Sequence, residues 1–298
     1  MPQISCVICT RNRPGTIGQA VDSVLANSHP DFELVIVDQS ADNQTEQILS
    51  KHQADSRLIY CHVARAGLSA AYNLGISKTS APIIAFTDDD CMAPENWLSS
   101  ISNAFERHSE AEMLYGQTLV APELSNTKGV VPYFLIPKEV TLGGIGKKFR
   151  VVGMGSNFAV RRQLIARVGN FDEILGGGGP LKSSQDFDFL YRAWRAGAIT
   201  LLSPDVSVDH YGLREGQEWT ATMNAYGIGD GAFYMKHVRC GDLFALKLLL
   251  GKLAGLFLRE IVNPIRRKPS KACYLVSCVK GIRMSLHYKV DRAKKLYA

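Results

Sequence analysis

Apolar runs and helical periods alternate through the first third of this chain, and few folds accommodate that order. Ile4–Cys9, Phe32–Val37, Arg57–Val63 and Ile83–Phe86 have the length and branched composition of buried strands. Between them, Ile17, Val21, Val24 and Leu25 share one helical face, Thr45–His52 predicts a short helix and Leu68–Ser77 another. Strand–helix–strand units of this kind pair their strands in parallel through right-handed crossovers. The sequence therefore predicts an α/β fold, Rossmann-like, with a mainly parallel central sheet flanked by helices. Such sheets bind ligands at the carboxyl ends of their strands. Those ends carry the loops Thr10-Arg11-Asn12-Arg13, Asp38-Gln39-Ser40 and Thr87-Asp88-Asp89-Asp90.

Three successive carboxylates repel one another unless a positive group sits among them. Carboxylate oxygens are hard ligands, so the natural counter-charge is Mg²⁺ or Mn²⁺ carrying a phosphorylated ligand. The plainer alternative is a solvated turn in which one aspartate caps the helix starting near Pro94-Glu95-Asn96-Trp97. The first loop contains neither G-x-G-x-x-G nor a P-loop, which disfavours a dehydrogenase-type dinucleotide site and a P-loop NTPase. A diphosphate bound here would need a metal to neutralise it.

Beyond Trp97 the alternation fades. Ile101–Phe105 reads as helix, Met113–Val120 as strand, and 121–150 as irregular. Val151–Val160 reads as a strand broken by Gly153 and Gly155, a pattern that suits close approach of a ligand to backbone. Gly176–Gly179 predicts a mobile loop. A helix follows from about Gln185 to Ala196, ended by Gly197, and then two short strands, Ile199–Leu202 and Val206–Tyr211.

With 46% hydrophobic and 21% charged residues the chain is an ordinary globular protein. Met1-Pro2-Gln3 leads directly into a strand, so no export signal is expected and the seven scattered cysteines read as reduced thiols of a cytosolic compartment. Cys6 and Cys9 match C-x-x-C, but they face opposite ways on a strand and no second pair follows, which argues against zinc. The net charge of +6 is uneven: residues 236–298 carry +12 and residues 1–235 carry −6. An acidic body with a basic tail points to an anionic surface rather than to nucleic acid.

The succession of motifs resembles the family 2 glycosyltransferases, inverting enzymes of the GT-A fold that use nucleotide-sugar donors. The resemblance rests on Val37-Asp38, Gly67-Leu68-Ser69-Ala70-Ala71-Tyr72-Asn73, Thr87-Asp88-Asp89-Asp90, Gly155–Arg162, Val168–Glu173 and Gln185-Asp186-Phe187-Asp188-Phe189. It runs from about Ile4 to His210. It implies that Asp38 accepts the base N–H of the nucleotide, the alternative being a turn cap. It implies that Asp88 contacts ribose or metal and that Asp90 ligates Mn²⁺ or Mg²⁺ directly. Asp89 falls with the donor-binding residues or faces solvent. His210 is a metal ligand or a packed histidine.

Thr10, Arg11, Arg13, Arg65 and Asn73 complete the implied donor site; plain surface charge is the alternative for the arginines. Gly155, Ser156, Asn157 and Gln185 belong to the sugar and acceptor loops. Asp186 is the implied general base, with a dipole-favoured helix N-terminus as its alternative. Gln185 stands where the family usually has Glu. No Gln-x-x-Arg-Trp motif and no set of membrane spans is present, so one sugar per encounter is expected.

The expected division is a nucleotide-sugar-binding half over 1–95, an acceptor-binding and catalytic half over 96–215, and a helical basic extension over 216–298. Leu243–Leu258 is apolar but interrupted by Lys247 and Lys252, too short and charged for a span. Lys252, Arg259 and Arg266 recur every seven residues opposite a Leu/Phe surface, the pattern of a helix in a membrane interface. Arg266-Arg267-Lys268 and the basic run to Lys295 add attraction for anionic head groups, so 243–295 is the expected membrane-binding region. A peripheral protein at the cytoplasmic face could reach a lipid-linked or surface-glycan acceptor with a UDP-sugar as default donor. Two other functions remain open: a sugar-nucleotide nucleotidyltransferase, and a non-catalytic scaffold on a degenerate transferase fold.

Overall fold

A computed structural model describes residues 2–144, 152–265 and 272–298. Val151 and Arg266-Arg267-Lys268, parts of the sequence patterns above, lie outside the described residues. The chain divides into two compact units. The first comprises Met1–Ala66, Ala70–Asn170 and Ala193–Arg214; the second comprises Gly67–Ser69, Phe171–Arg192 and Glu215–Ala298.

Along the chain run β1 (Ile4–Thr10), α1 (Pro14–Leu25), β2 (Phe32–Asp38), α2 (Gln44–Leu49), β3 (Leu58–His62), α3 (Leu68–Lys78) and β4 (Ile83–Asp88). Next come β5 (Cys91–Met92), α4 (Trp97–Arg107), β6 (Ala111–Val120), β7 (Val140–Gly143), β8 (Asn157–Arg161) and α5 (Arg162–Val168). The remainder is α6 (Gln185–Arg195), β9 (Ile199–His210), α7 (Gly216–Arg239), α8 (Leu243–Ile265), α9 (Ala272–Ser285), β10 (Val290–Asp291) and β11 (Leu296–Tyr297).

The first unit holds a nine-stranded sheet of order β3-β2-β1-β4-β8-β6-β9-β5, with β7 also on β9. Strands β3, β2, β1 and β4 are parallel, as expected; β8 runs antiparallel to both β4 and β6. The apolar alternation of α1 and α4 covers one face: Ile17, Val21, Val24, Trp97, Ile101 and Phe105 are fully buried with Cys6, Ile8, Leu34 and Ile36. Register carries the carboxyl-end residues together, since Thr10 is paired with Asp38 and Cys9 with Asp88 on strands about 4.8 Å apart.

Two expectations about the strands of the first unit differ from the structure. The two strands predicted after Gly197 are one, β9, which passes Pro204 at an irregularity where its register against β6 shifts. Gly153 does not open the backbone to a ligand: a Cβ there would lie 2.1 Å from the ring of buried Tyr115. It is glycine because the aromatic ring fills the space.

In the second unit, α7 and α9 pack through small residues. A Cβ at Gly231 would sit 2.0 Å from the Cys278 carbonyl oxygen, and one at Gly281 would sit 2.0 Å from that of Ile228. The Gly176–Gly179 segment, expected to be a mobile loop, is a hydrogen-bonded turn. Gly176 N–H donates to Ser183 O, Gly179 N–H to Gly176 O, and Leu68 N–H to Gly177 O at 2.8 Å. Of the polar stripe expected on α8, Lys252 is engaged, its ammonium bound to Asp230 of α7 while Ala245, Leu249 and Leu256 are buried; Arg259 is exposed. The opposite side leaves Leu243, Leu250, Phe257, Leu258 and Ile261 exposed. Among the described residues no helix is long and apolar enough to cross a membrane.

Candidate active site

At the carboxyl edge of the first unit, the acidic run is buried among cations. Asp89 accepts a 2.6 Å hydrogen bond from the Thr10 hydroxyl and a 2.8 Å bond from Arg13 Nη1. It is 4% exposed and does not face solvent. The same guanidinium nitrogen reaches Asp90 Oδ2 at 2.7 Å. Arg13 is placed by its position immediately before Pro14, the first residue of α1, which fixes the turn between β1 and that helix.

His210 ends β9 and is in register with Cys91 of β5. Its Nδ1–H donates to the Pro132 carbonyl at 2.7 Å, which turns Nε2 towards Asp90 Oδ1, 3.4 Å away. Arg214 Nη2 lies 3.5 Å from Asp90 Oδ2. Gly212 closes this arrangement: a Cβ there would stand 2.4 Å from His210 Nε2 and 2.8 Å from Asp90 Oδ2.

The electrostatics separate the carboxylates. Burial, then the charge of Asp90, pushes the Asp88 carboxyl up to about 7. Burial also raises Asp89, with Arg13 opposing. Burial alone would raise Asp90 too, but His210, Arg13 and Arg214 outweigh it and hold that carboxyl well below its usual range. In return Asp90 outweighs the burial of His210 and raises the imidazole.

Asp90, Cys91 and His210 offer ligand atoms within 4.8 Å of one another, a group that could hold a metal ion. The Cys91 thiol is raised well above its ordinary value, by burial first and then by Asp88, so it stays protonated and is a poor ligand. A carboxylate oxygen and an imidazole nitrogen with a second carboxylate next door suit a divalent cation with mixed oxygen and nitrogen preference. Such an ion would offset the burial and the charge of Asp90 that together raise the Asp88 carboxyl.

Asp38 is fully buried at the end of β2. Its Oδ1 accepts from Ser40 N–H at 2.8 Å and its Oδ2 from the Tyr60 hydroxyl at 2.7 Å. Each oxygen retains a lone pair for a further donor. Tyr60 and Arg214 escaped sequence reasoning, because each reaches its aspartate from another strand or loop with no local motif. Arg11 and Arg65 are exposed, Asn73 is half-buried on α3, and the Arg65 carbonyl accepts from Gln39.

Ser156 shares a 2.9 Å hydrogen bond with Thr118. The amide of Asn157 is used in the core: it donates to Gln117 O and Val206 O and accepts from Trp97 Nε1 at 3.0 Å. The Gly155 carbonyl accepts from the Tyr72 hydroxyl at 3.5 Å.

In the second unit, Gln185 and Asp186 open α6, both 8% exposed. Asp186 Oδ1 accepts from Phe187 N–H at 3.0 Å. Asp188, two residues on, is fully buried and bound to Lys236 at 2.6 Å, His237 at 2.8 Å and Arg192 at 2.9 Å.

The sequence model of glycosyl transferase family 2 matches residues 5–169, more than half of the 298. The chain belongs to that family. A glucosyl-dolichyl phosphate glucuronosyltransferase of Haloferax volcanii is 25% identical over 182 residues, covering 58% of this chain and 57% of that one. The chain thus spans little more than half the length of this curated relative.

Among solved structures, the mannosyltransferase PcManGT of Pyrobaculum calidifontis, in complex with GDP-Man and Mn²⁺, aligns with TM-score 0.63 at 16% identity. The alignment covers 95% of this chain and 87% of that one. S. aureus TarS 1-349 in complex with UDP-GlcNAc aligns with TM-score 0.57 at 17% identity over 76% of this chain and 66% of that one. At such identities the likeness shows the fold, which is GT-A. This family 2 glycosyltransferase therefore presents its acidic run where GT-A strands end, among residues able to hold a metal ion.

Proposed function

We propose that this glycosyltransferase moves one sugar per encounter, with inversion, from a nucleotide-sugar to a lipid-linked or surface-glycan acceptor. The observation that carries the reading is the meeting of Asp90 and His210, with Arg13 and Arg214 against Asp90 and Asp88 close enough to feel the charges of both. In this reading Asp38 accepts the N–H of the base, and Thr10, Arg11, Arg13, Arg65, Asn73 and Asp89 line the donor. Asp90, His210 and Asp88 hold Mn²⁺ or Mg²⁺, as the Mn²⁺ and GDP-Man bound to the Pyrobaculum structure suggest. When bound, that ion supplies positive charge for the departing diphosphate.

Asp186 takes the proton of the acceptor hydroxyl as its oxygen attacks C1. The new C1–O bond forms as the C1–O(phosphate) bond breaks on the opposite face, so the configuration at C1 inverts. Gly155, Ser156, Asn157 and Gln185 border the sugar and acceptor. In this scheme 1–95 binds the donor, 96–215 the acceptor, and 216–298 attaches the enzyme to the cytoplasmic face of an anionic membrane. Support for the last step is the exposed apolar side of α8 with exposed Lys247 on it, Arg259 exposed on the opposite stripe, and Lys280 and Arg283 exposed on α9.

The test is nucleoside diphosphate release from UDP-, GDP- and dTDP-sugars with a lipid extract as acceptor, followed by the anomeric configuration of the product. Turnover of one donor with inverted product, abolished in Asp186→Asn, is expected. A retained configuration would refute the base role.

A further inference from the structure

The turn that precedes Asp186 is held from outside its own helix. Ser184, the residue before α6, has φ +68°, a strained value for a residue with a side chain. Its carbonyl accepts from Asp188 N–H at 2.9 Å and so starts the helix. A serine at that position ordinarily gives its side-chain oxygen to an N–H of the first turn. Here the hydroxyl instead donates to Asp230 Oδ1 on α7, at 2.9 Å. Ser183 is drawn the same way, its hydroxyl donating to Ala225 O of α7 at 3.1 Å. A Cβ at Gly229 would lie 2.1 Å from that hydroxyl, so α7 approaches the turn closely only because residue 229 is glycine.

Asp230 is 7% exposed. Its second oxygen accepts from the Lys252 ammonium on α8 and from the Tyr274 hydroxyl on α9. Two further residues of α7, Lys236 and His237, hold Asp188 on the far side of Asp186. The first turn of α6 is therefore gripped by α7 both before and after the aspartate, and the leading grip depends on α8 and α9.

We propose that Asp230 is a positioning residue for Asp186: through Ser184 it fixes the first turn of α6, and through Lys252 and Tyr274 it makes α8 and α9 part of that support. The functional consequence rests on the reading of Asp186 as base. The structural consequence does not, and the experiment separates them. Asp230→Asn, Ser184→Ala and Asp186→Asn are compared by amide hydrogen exchange over residues 183–189. UDP and GDP binding is measured in parallel, together with turnover of whichever donor of the UDP-, GDP- and dTDP-sugar panel is used.

Asp230→Asn and Ser184→Ala should raise exchange in that segment about tenfold, leave nucleotide affinity unchanged, and lower kcat by on the order of ten- to a hundred-fold without a matching change in donor KM. Unchanged exchange in both variants would overturn the proposal, as would equal losses of binding and kcat in Ser184→Ala. Should Asp230→Asn fail to fold, Ser184→Ala carries the test alone. If Asp186→Asn stays active while exchange rises in the other two, the base role fails and the positioning of the turn stands.

Discussion

His210 Nε2 faces Asp90 Oδ1 at 3.4 Å across a two-residue antiparallel ladder, and Gly212 leaves the space in which they meet. A methyl group at residue 212 would collide with the imidazole nitrogen itself. Gly212→Ala should therefore turn His210 away while leaving the sheet intact. The Mn²⁺ concentration giving half-maximal turnover should rise by about 10- to 100-fold, the usual cost of disturbing ligand orientation. A titration of turnover against Mn²⁺ reads this directly, and an unchanged midpoint would count against His210 as a ligand.

The buried cluster around Asp188 predicts acid sensitivity with a definite sign. Burial would raise the Asp188 carboxyl, but Lys236, Arg192 and His237 outweigh it and hold it well below the carboxylate range. A depressed carboxylate contributes stability that is present above its unfolded value of about 4 and is lost as pH falls below it. Burial lowers His237, with Asp188 opposing, so its contribution is present above about pH 6.5 and is lost on acidification. The difference in Tm between the wild type and His237→Gln should accordingly shrink from pH 7 to pH 5. A constant difference would contradict this.

The packing of α7 on α9 predicts a large effect from a small change. At Gly231 a Cβ would meet the Cys278 carbonyl oxygen at 2.0 Å, and backbone cannot swing aside as a side chain can. Gly231→Ala should cost about 1–3 kcal/mol of stability by overpacking, despite the higher helix propensity of alanine. Chemical denaturation measures it. A stabilised variant would mean that the two helices are not in this contact.

The parallel half of the sheet was legible because each buried strand is a local apolar run ended by a polar loop. The acidic run was legible for the same reason, since it sits where β4 ends. Helix α7 was not. Gly227, Gly229 and Gly231 interrupt any apolar period and carry poor helix propensity, and only the approach of α9 and of Ser183 explains them. Asp89 could be read as solvated because its partners, Thr10 and Arg13, lie more than seventy residues away. Tyr60 beside Asp38 and Arg214 beside Asp90 were invisible likewise, being contacts made by the fold and not by spacing along the chain.

The exposed side of α8 predicts lipid binding that depends on both apolar area and charge. Leu250 and Phe257 are more than half exposed, and Lys247 lies on the same side. Leu250→Glu with Phe257→Glu should reduce co-sedimentation with phosphatidylglycerol vesicles at least tenfold, whereas phosphatidylcholine vesicles should bind weakly throughout. Equal binding of wild type and variant to the anionic vesicles would remove the membrane role from this helix.

In the proposed reaction Asp90 serves metal-assisted sugar transfer, and the metal dependence of product release reports on it. Nucleoside diphosphate release by the wild type and by Asp90→Ala is followed with Mn²⁺ and with EDTA, over the donor panel and a lipid acceptor extract. Release by the wild type with Mn²⁺, lost in EDTA and in Asp90→Ala, is expected. Release that persists in EDTA, or that Asp90→Ala retains, would contradict it.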